Sequence, residues 1–84
     1  MDIEELKKKL ELGESLQYAD LHGLDLSKLN LQGADLRGSN LKRANLFGSN
    51  LEGANFQGAK FRGTLMDDSL KKKLTASQRR ENES

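Results

Sequence analysis

The feature that most constrains this chain is a large apolar residue at every fifth position across the middle of the sequence. The period holds without interruption at ten positions, which are Leu16, Leu21, Leu26, Leu31, Leu36, Leu41, Leu46, Leu51, Phe56 and Phe61. Five residues rotate an α-helix by about 140° and a β-strand by half a turn, so these side chains would be scattered around either element. The chain must therefore turn once in every unit, and the large residues are its predicted core.

The other positions of the unit have preferences of their own. In eight consecutive units, Asp or Asn stands immediately before the large residue: Asp20, Asp25, Asn30, Asp35, Asn40, Asn45, Asn50 and Asn55. Both residue types hydrogen-bond to nearby backbone at turns. Gly stands two residues after the large residue in seven of the ten units, which indicates a backbone position with positive φ or close approach. A small residue is preferred two positions before the large one, where it would share the interior.

Units such as residues 34–38 and 54–58, which read ADLRG and ANFQG, resemble the pentapeptide-repeat family, whose consensus is A-(D/N)-L-x-x. The resemblance covers residues 14–68. It implies an all-β solenoid, a right-handed quadrilateral β-helix of about 2.5–3 coils with short N- and C-terminal capping helices. Four units would form each coil, so residues twenty apart would be stacked. Lys28 and Arg43 replace glycine, and the turn type at these two corners is left open.

The N-terminal segment, residues 1–13, has the pattern of a capping helix. Asp2 is a predicted N-cap with the acidic Glu5 three residues later, and Gly13 is placed to end the helix. An apolar stripe is formed by Ile3, Leu6 and Leu10. We expect this stripe to cover the first coil, because the open end of a solenoid exposes core and strand edges.

The C-terminal segment, residues 69–84, is predicted to contain a second capping helix followed by a polar tail. Ser69 is the predicted N-cap, Leu70 and Leu74 lie one turn apart on the apolar side, and Leu65 and Met66 precede the helix. From about Thr75 to Ser84 the sequence is polar enough to predict disorder.

Composition bears on function mainly by exclusion. The chain of 84 residues has no Cys, no Trp and one His, and it contains no phosphate-binding glycine loop and no paired-His metal spacing. A triad of His22 with Asp20 or Asp25 and Ser27 is disfavoured, because outward positions on a convex surface form no pocket. We predict no enzyme activity, catalytic residue, cofactor, metal ligand or small-molecule substrate. The lack of a signal peptide and of a transmembrane run predicts a soluble, cytoplasmic protein.

Charge and exposure suggest where a partner would bind. With residues twenty apart stacked, His22, Lys42 and Arg62 form one ladder, and Arg43 and Lys60 lie beside it with only Asp20 opposing them. Phe47 would stand outward in a second ladder with Ser27 and Asp67. An aromatic on a rigid surface is a typical interface anchor. The candidate partner-binding residues are His22, Lys42, Arg43, Phe47, Lys60 and Arg62.

Three functions remain open, and the first is a protein-interaction or scaffold module with an unidentified protein partner, as in many small bacterial members of the resembled family. The second is DNA mimicry, the activity of quinolone-resistance proteins of that family that bind DNA gyrase. It is disfavoured because residues 19–63 hold four acidic against six basic residues and the rod is short. The third is anion or nucleic-acid binding on the basic ladder; a net charge of +1 and few aromatics disfavour nucleic acid. No membrane association is expected, and a monomer is favoured over a homodimer formed through an end cap.

Overall fold

The computed structural model describes residues 1–83, which contain three helices and a stack of short coils between the first and second. The helices are α1 (Ile3–Glu11), α2 (Asp68–Lys71) and α3 (Ala76–Glu83). Between α1 and α2 the described chain forms isolated parallel bridges rather than extended strands. A turn at each five-residue unit limits pairing to single residues, because the chain changes direction before a longer strand can form.

The bridges join residues that are twenty apart in the sequence. There are six of them: Asp20 with Asn40, Asp25 with Asn45, Asn30 with Asn50, Asp35 with Asn55, Asn40 with Lys60 and Asn45 with Leu65. Each coil therefore contains four units, and the prediction that residues twenty apart are neighbours is confirmed. No continuous sheet forms within residues 1–83, so the right-handed quadrilateral β-helix stays a prediction.

The backbone hydrogen bonds of the bridges join each coil to the next. Leu21 donates its N–H to the carbonyl of Asn40 at 2.9 Å, and Asn40 donates to the carbonyl of Ala19 at 2.9 Å. The same pairing recurs at the following units, for example from Leu41 to Lys60 and from Lys60 to Ser39, both at 2.9 Å. These contacts fix the register of side chains along the stack.

The predicted core residues are buried as expected. From Leu16 to Leu46 the large residue of each unit is at most 1% exposed, and the small residues Ser39 and Ala44 are fully enclosed. Near the C-terminal end of the stack, Phe56 and Phe61 pack edge to face with ring centroids 5.7 Å apart. Because the interior is filled by its own side chains, the outward positions are the ones available to a partner.

Every unit uses the same turn, whatever residue occupies the glycine position. In all ten units, the residue two after the large one has a φ between 57° and 77°, including Tyr18, Lys28 and Arg43. The turn type at Lys28 and Arg43 is therefore that of their glycine counterparts. A Cβ added at Gly38 would lie 2.6 Å from ring carbons of Tyr18, which shows that the tyrosine side chain covers the glycine of the next coil.

The Asp and Asn residues support these turns. In the eight consecutive units that carry them, the side-chain Oδ1 accepts a hydrogen bond from the backbone N–H two residues later, at 3.0–3.3 Å. This confirms the turn role predicted from the sequence. It also holds the backbone at the outward position that follows each large residue.

Helix α1 covers the N-terminal end of the stack, as predicted. Asp2 is its N-cap and accepts a hydrogen bond from the N–H of Glu5 at 2.8 Å, and Gly13 follows the helix with a φ of 68°. Leu6 is fully buried in the core, while Ile3 and Leu10 are partly buried against it.

The C-terminal end differs from its prediction at the N-cap of α2 and in the order of the segment after Leu74. The N-cap of α2 is Asp67 rather than Ser69, which lies inside the helix and donates its hydroxyl hydrogen to Asp67 Oδ1 at 3.2 Å. Leu70 and Leu74 are 4% exposed, in agreement with their predicted role.

The predicted disorder from Thr75 onward is wrong for residues 75–83, because α3 forms there; Ser84 lies outside the described residues. The helix is ordered because its side-chain amides donate hydrogen bonds to backbone carbonyls of the last coil. Gln78 donates to the carbonyls of Phe56 and Ala59, and Asn82 donates to those of Phe61 and Thr64. A polar composition is therefore compatible with an ordered helix here.

Candidate protein-interaction surfaces

The structure brings together the basic residues predicted to form one surface. His22, Lys42 and Arg62 each follow an inward residue of the core, and the bridges from Asp20 to Asn40 and from Asn40 to Lys60 fix their register. We name this surface the basic wall, and its members are His22, Lys42, Arg43, Lys60 and Arg62. All but Lys60 line one open depression of about 280 Å³. Lys60 lies in the adjoining column of bridged residues.

The side chains of the basic wall differ in their exposure to solvent. Lys42 is half-buried and its backbone N–H donates to Asn40 Oδ1 at 3.1 Å, whereas His22, Lys60 and Arg62 are exposed. Arg43 has a φ of 61°, and its Cγ lies 3.3 Å from where a Cβ at Gly63 would be. Its side-chain stem thus covers that glycine and extends along the stack.

Within residues 1–83, no side chain of the basic wall forms an ion pair with a carboxylate. Among residues 1–83, the ion pairs are Lys9 with Glu14, Arg37 with Asp35 and Lys73 with Glu52. The nearest acid in the column, Asp20, uses Oδ1 to accept from the backbone N–H of His22 at 3.2 Å. Exposed like charges repel by only about 1 kcal/mol at 4 Å in water, so the fold tolerates them, but the surface potential stays positive.

A contrasting surface carries Asp35 and Arg37, whose charges neutralise each other. Arg37 donates two hydrogen bonds to the carboxylate, at 2.9 Å and 2.8 Å, and Gln17 donates a third at 2.8 Å. The Arg37 hydrogen bonds hold the pKa of Asp35 well below its usual range, and the Arg37 pKa is raised in turn. The sequence analysis did not predict this pair, although Asp and Arg two apart at one turn is the signal for it.

The prediction that Phe47 stands outward is confirmed, since the residue is 60% exposed. Its backbone N–H donates to Asn45 Oδ1 at 3.0 Å, which fixes the chain beneath the ring. Phe47 follows the bridged column of Asp25, Asn45 and Leu65, and it lies one five-residue unit after Lys42 of the basic wall. The two candidate surfaces are therefore consecutive along the chain.

On the coil stack, two further exposed apolar residues were not predicted as surface features. Leu65 is 61% exposed because it occupies the outward Asp or Asn position of its unit, while its neighbour Met66 points inward. Tyr18 is 80% exposed at a glycine position. The five-residue register contains the signal for both, since each falls on an outward place.

The described residues contain neither a metal-binding cluster nor a membrane-spanning helix. No group of three or more His, Cys, Asp or Glu residues in the described part of the chain is arranged to hold a metal ion. No helix within residues 1–83 is long and apolar enough to span a membrane. The absence of enzyme activity stays a prediction.

The coil of four five-residue units, with its repeated turn and its inward large residues, defines a repeat protein. The family model for pentapeptide repeats matches residues 25–63 in eight copies, so the chain contains pentapeptide repeats over this segment. No curated protein matches the sequence significantly.

Proposed function

We propose that this protein is a non-enzymatic protein-interaction or scaffold module, which presents the walls of a right-handed quadrilateral β-helix to a protein partner. The observation that carries the proposal is the basic wall, where five basic side chains on stacked coils lack a carboxylate partner in the described chain. Consecutive with it stands the exposed Phe47. A charged surface beside an aromatic anchor is typical of protein interfaces.

The rigidity of the stack supports this function. Hydrogen bonds between coils and the Asp and Asn side chains at the turns fix the backbone under each outward residue. Binding then orders little more than the side chains themselves, which lowers its entropic cost. We place this activity in the bacterial cytoplasm as part of the same proposal.

The depression on the basic wall favours one alternative, the binding of an anion or a nucleic acid. Its four lining side chains are all donors or cations. The carboxylates of Asp20, Asp25 and Asp67 near the two surfaces weaken the case for a nucleic acid, because they repel a polyphosphate backbone. DNA mimicry is disfavoured more strongly, since a duplex mimic has to present negative charge.

The proposal is tested by affinity capture from cells of the source organism with four forms of the protein. Wild type should retain a specific partner, and Phe47→Ala or the double variant Lys42→Gln/Arg62→Gln should retain less of it. Gln57→Ala is the matched control, because Gln57 is exposed at the equivalent position of another unit. Equal retention by all forms would remove both surfaces from the proposal. A crystal structure tests the handedness and the cross-section of the coils.

A further inference from the structure

The basic wall has the features of a site for a specific kind of polypeptide. We propose that it docks an extended, carboxylate-rich segment of a partner protein along the axis of the coil stack. This inference rests on the interaction function proposed above and adds the chemistry of the partner. It is carried by the unpaired charges of the wall, their spacing, and the conformation of Arg43.

The wall gathers basic side chains that form no ion pair within residues 1–83, whereas three basic side chains elsewhere do. Lys9, Arg37 and Lys73 each lie within 4.0 Å of a carboxylate oxygen, at 3.8, 2.8 and 3.3 Å. On the basic wall, Lys42, Arg43 and Arg62 line a common depression without such a contact in residues 1–83. Stacked like charges are unfavourable unless anions offset them. A carboxylate from another molecule supplies that compensation.

Arg43 adopts a left-handed backbone conformation at a position where most units have glycine. Its φ of 61° is strained for a residue with a Cβ, so an arginine here costs conformational energy that glycine avoids. The side chain then lies over Gly63 and along the wall. Arg43 lines the depression, and a guanidinium can donate two parallel hydrogen bonds to one carboxylate.

The spacing of the basic side chains also suits an acidic peptide. Bridged coils lie about 4.8 Å apart, so the ladder from His22 through Lys42 to Arg62 extends about 10 Å along the stack. In an extended peptide, alternate side chains lie about 7 Å apart on one side. Two or three acidic side chains at alternate positions therefore match the ladder, given the reach of Lys and Arg.

The same features disfavour the other anionic ligands. A single small anion would bind weakly, because the depression is open to water, which screens each charge. A nucleic acid needs a longer positive surface with aromatic side chains for stacking. The basic wall spans three coils, which is short for a nucleic acid. The exposed Phe47 on the consecutive surface follows the bridged column that contains Asp25. An acidic protein segment fits the length and the charge.

The test measures binding of a fluorescently labelled octaglutamate peptide to the full chain by anisotropy, at low and at physiological ionic strength. Wild type should bind, and added salt should weaken the binding. Lys42→Gln/Arg62→Gln should weaken it about tenfold, since two charge contacts are lost. Lys7→Gln/Lys8→Gln removes the same net charge from exposed positions on α1 and should change affinity less than about twofold. Circular dichroism melts verify that both variants fold.

Several results would overturn the inference. Equal weakening by the α1 control variant would show that only net charge matters. Tighter binding of a duplex DNA oligonucleotide than of octaglutamate would assign the wall to nucleic acid, and displacement of the peptide by inorganic phosphate beyond the effect of a chloride control would assign it to small anions. Amide shifts confined to residues other than Lys42, Arg43 and Arg62 in an NMR titration would place the peptide elsewhere.

The outcome is separable from that of the proposed function. If octaglutamate does not bind but a partner is captured in a manner that depends on Phe47, the acidic-segment inference fails and the interaction function stands. If octaglutamate does not bind and capture is unaffected by every surface variant, both fail.

Discussion

At the N-terminal end of the coil stack the covering element presents apolar side chains, whereas at the C-terminal end it presents both apolar side chains and side-chain amides. Helix α1 buries Leu6 completely and Ile3 and Leu10 in part. Beyond the last coil, Leu70 and Leu74 are buried, and α3 adds Gln78 and Asn82, which hydrogen-bond to the backbone. The two open ends of the coil stack are thus covered through different interactions.

The amides of α3 replace the backbone donors of a coil that the chain does not have. Within the stack, the carbonyl of Ser39 accepts from the N–H of Lys60 at 2.9 Å. Ala59 is the next residue of that column, and Gln78 Nε2 donates to its carbonyl at 3.2 Å. In the neighbouring column Asn82 Nδ2 does the same for the carbonyl of Thr64 at 2.8 Å. The last coil of a solenoid leaves backbone carbonyls without a donor from a following coil. Side-chain amides on one face of a helix can supply those hydrogen bonds.

The largest expected effect is at the apolar end. Leu6→Ala should lower the free energy of unfolding by about 2–5 kcal/mol, because it removes a fully enclosed side chain and leaves a cavity between α1 and the coils. Urea unfolding followed by circular dichroism measures this. Leu12→Ala is the control, since Leu12 lies at the end of the same helix and is 64% exposed. Coincident transitions for Leu6→Ala and the parent would show that α1 does not close the stack.

The second prediction concerns the amide end. Gln78→Met keeps a side chain of similar length but removes the donor to the carbonyls of Phe56 and Ala59 and the acceptor for the N–H of Thr75, so we expect a loss of about 1–3 kcal/mol. Gln57→Met makes the same change at an exposed position and should be nearly neutral. A Gln78→Met protein as stable as the parent would mean that the C-terminal end depends on apolar packing alone, and the contrast between the ends would disappear.

This contrast explains which parts of the fold could be predicted from the sequence. The five-residue period identified Leu16 through Phe61 as inward, and the apolar stripe with Asp2 and Gly13 identified α1. Helix α3 could not be identified in that way, because residues 76–83 contain no apolar side chain larger than Ala76. Helix α3 is ordered by backbone carbonyls of the last coil, which no following coil is present to hydrogen-bond. A polar segment is then indistinguishable from a disordered one until the fold is known.

The candidate site follows the same division. The twenty-residue spacing, which the resemblance to pentapeptide repeats implies, was enough to bring His22, Lys42 and Arg62 together. The neutralisation of Asp35 by Arg37 depends on side-chain rotamers, and the exposure of Leu65 depends on its place in a degenerate unit; neither follows from the period alone. The basic wall was predictable, whereas the contrast that makes it distinct required the structure.

A third prediction sharpens the role of the amides. Asn82→Ala should cost about 1 kcal/mol, less than Gln78→Met, because Asn82 is half-buried and water can reach part of the carbonyls that it leaves. Thermal unfolding of the single variants and of the double variant measures whether the two amides act together. Additive losses would contradict a single capping face and show two independent contacts.

The smallest effect is expected at the N-terminal end of the stack. The N-cap hydrogen bond of α1 is a polar contact there, but burial of apolar side chains is what covers the first coil. Asp2→Ala removes the acceptor for the N–H of Glu5, a hydrogen bond of 2.8 Å at an exposed helix terminus, and should cost about 0.5–1 kcal/mol. Asp2→Asn is the matched control, because asparagine retains an acceptor oxygen for the cap and should restore most of the loss. The quantity to compare is the free energy of unfolding of Asp2→Ala against that of Leu6→Ala. If the two losses are equal, the N-terminal helix depends on its cap as much as on burial, and the two ends of the stack no longer differ in kind.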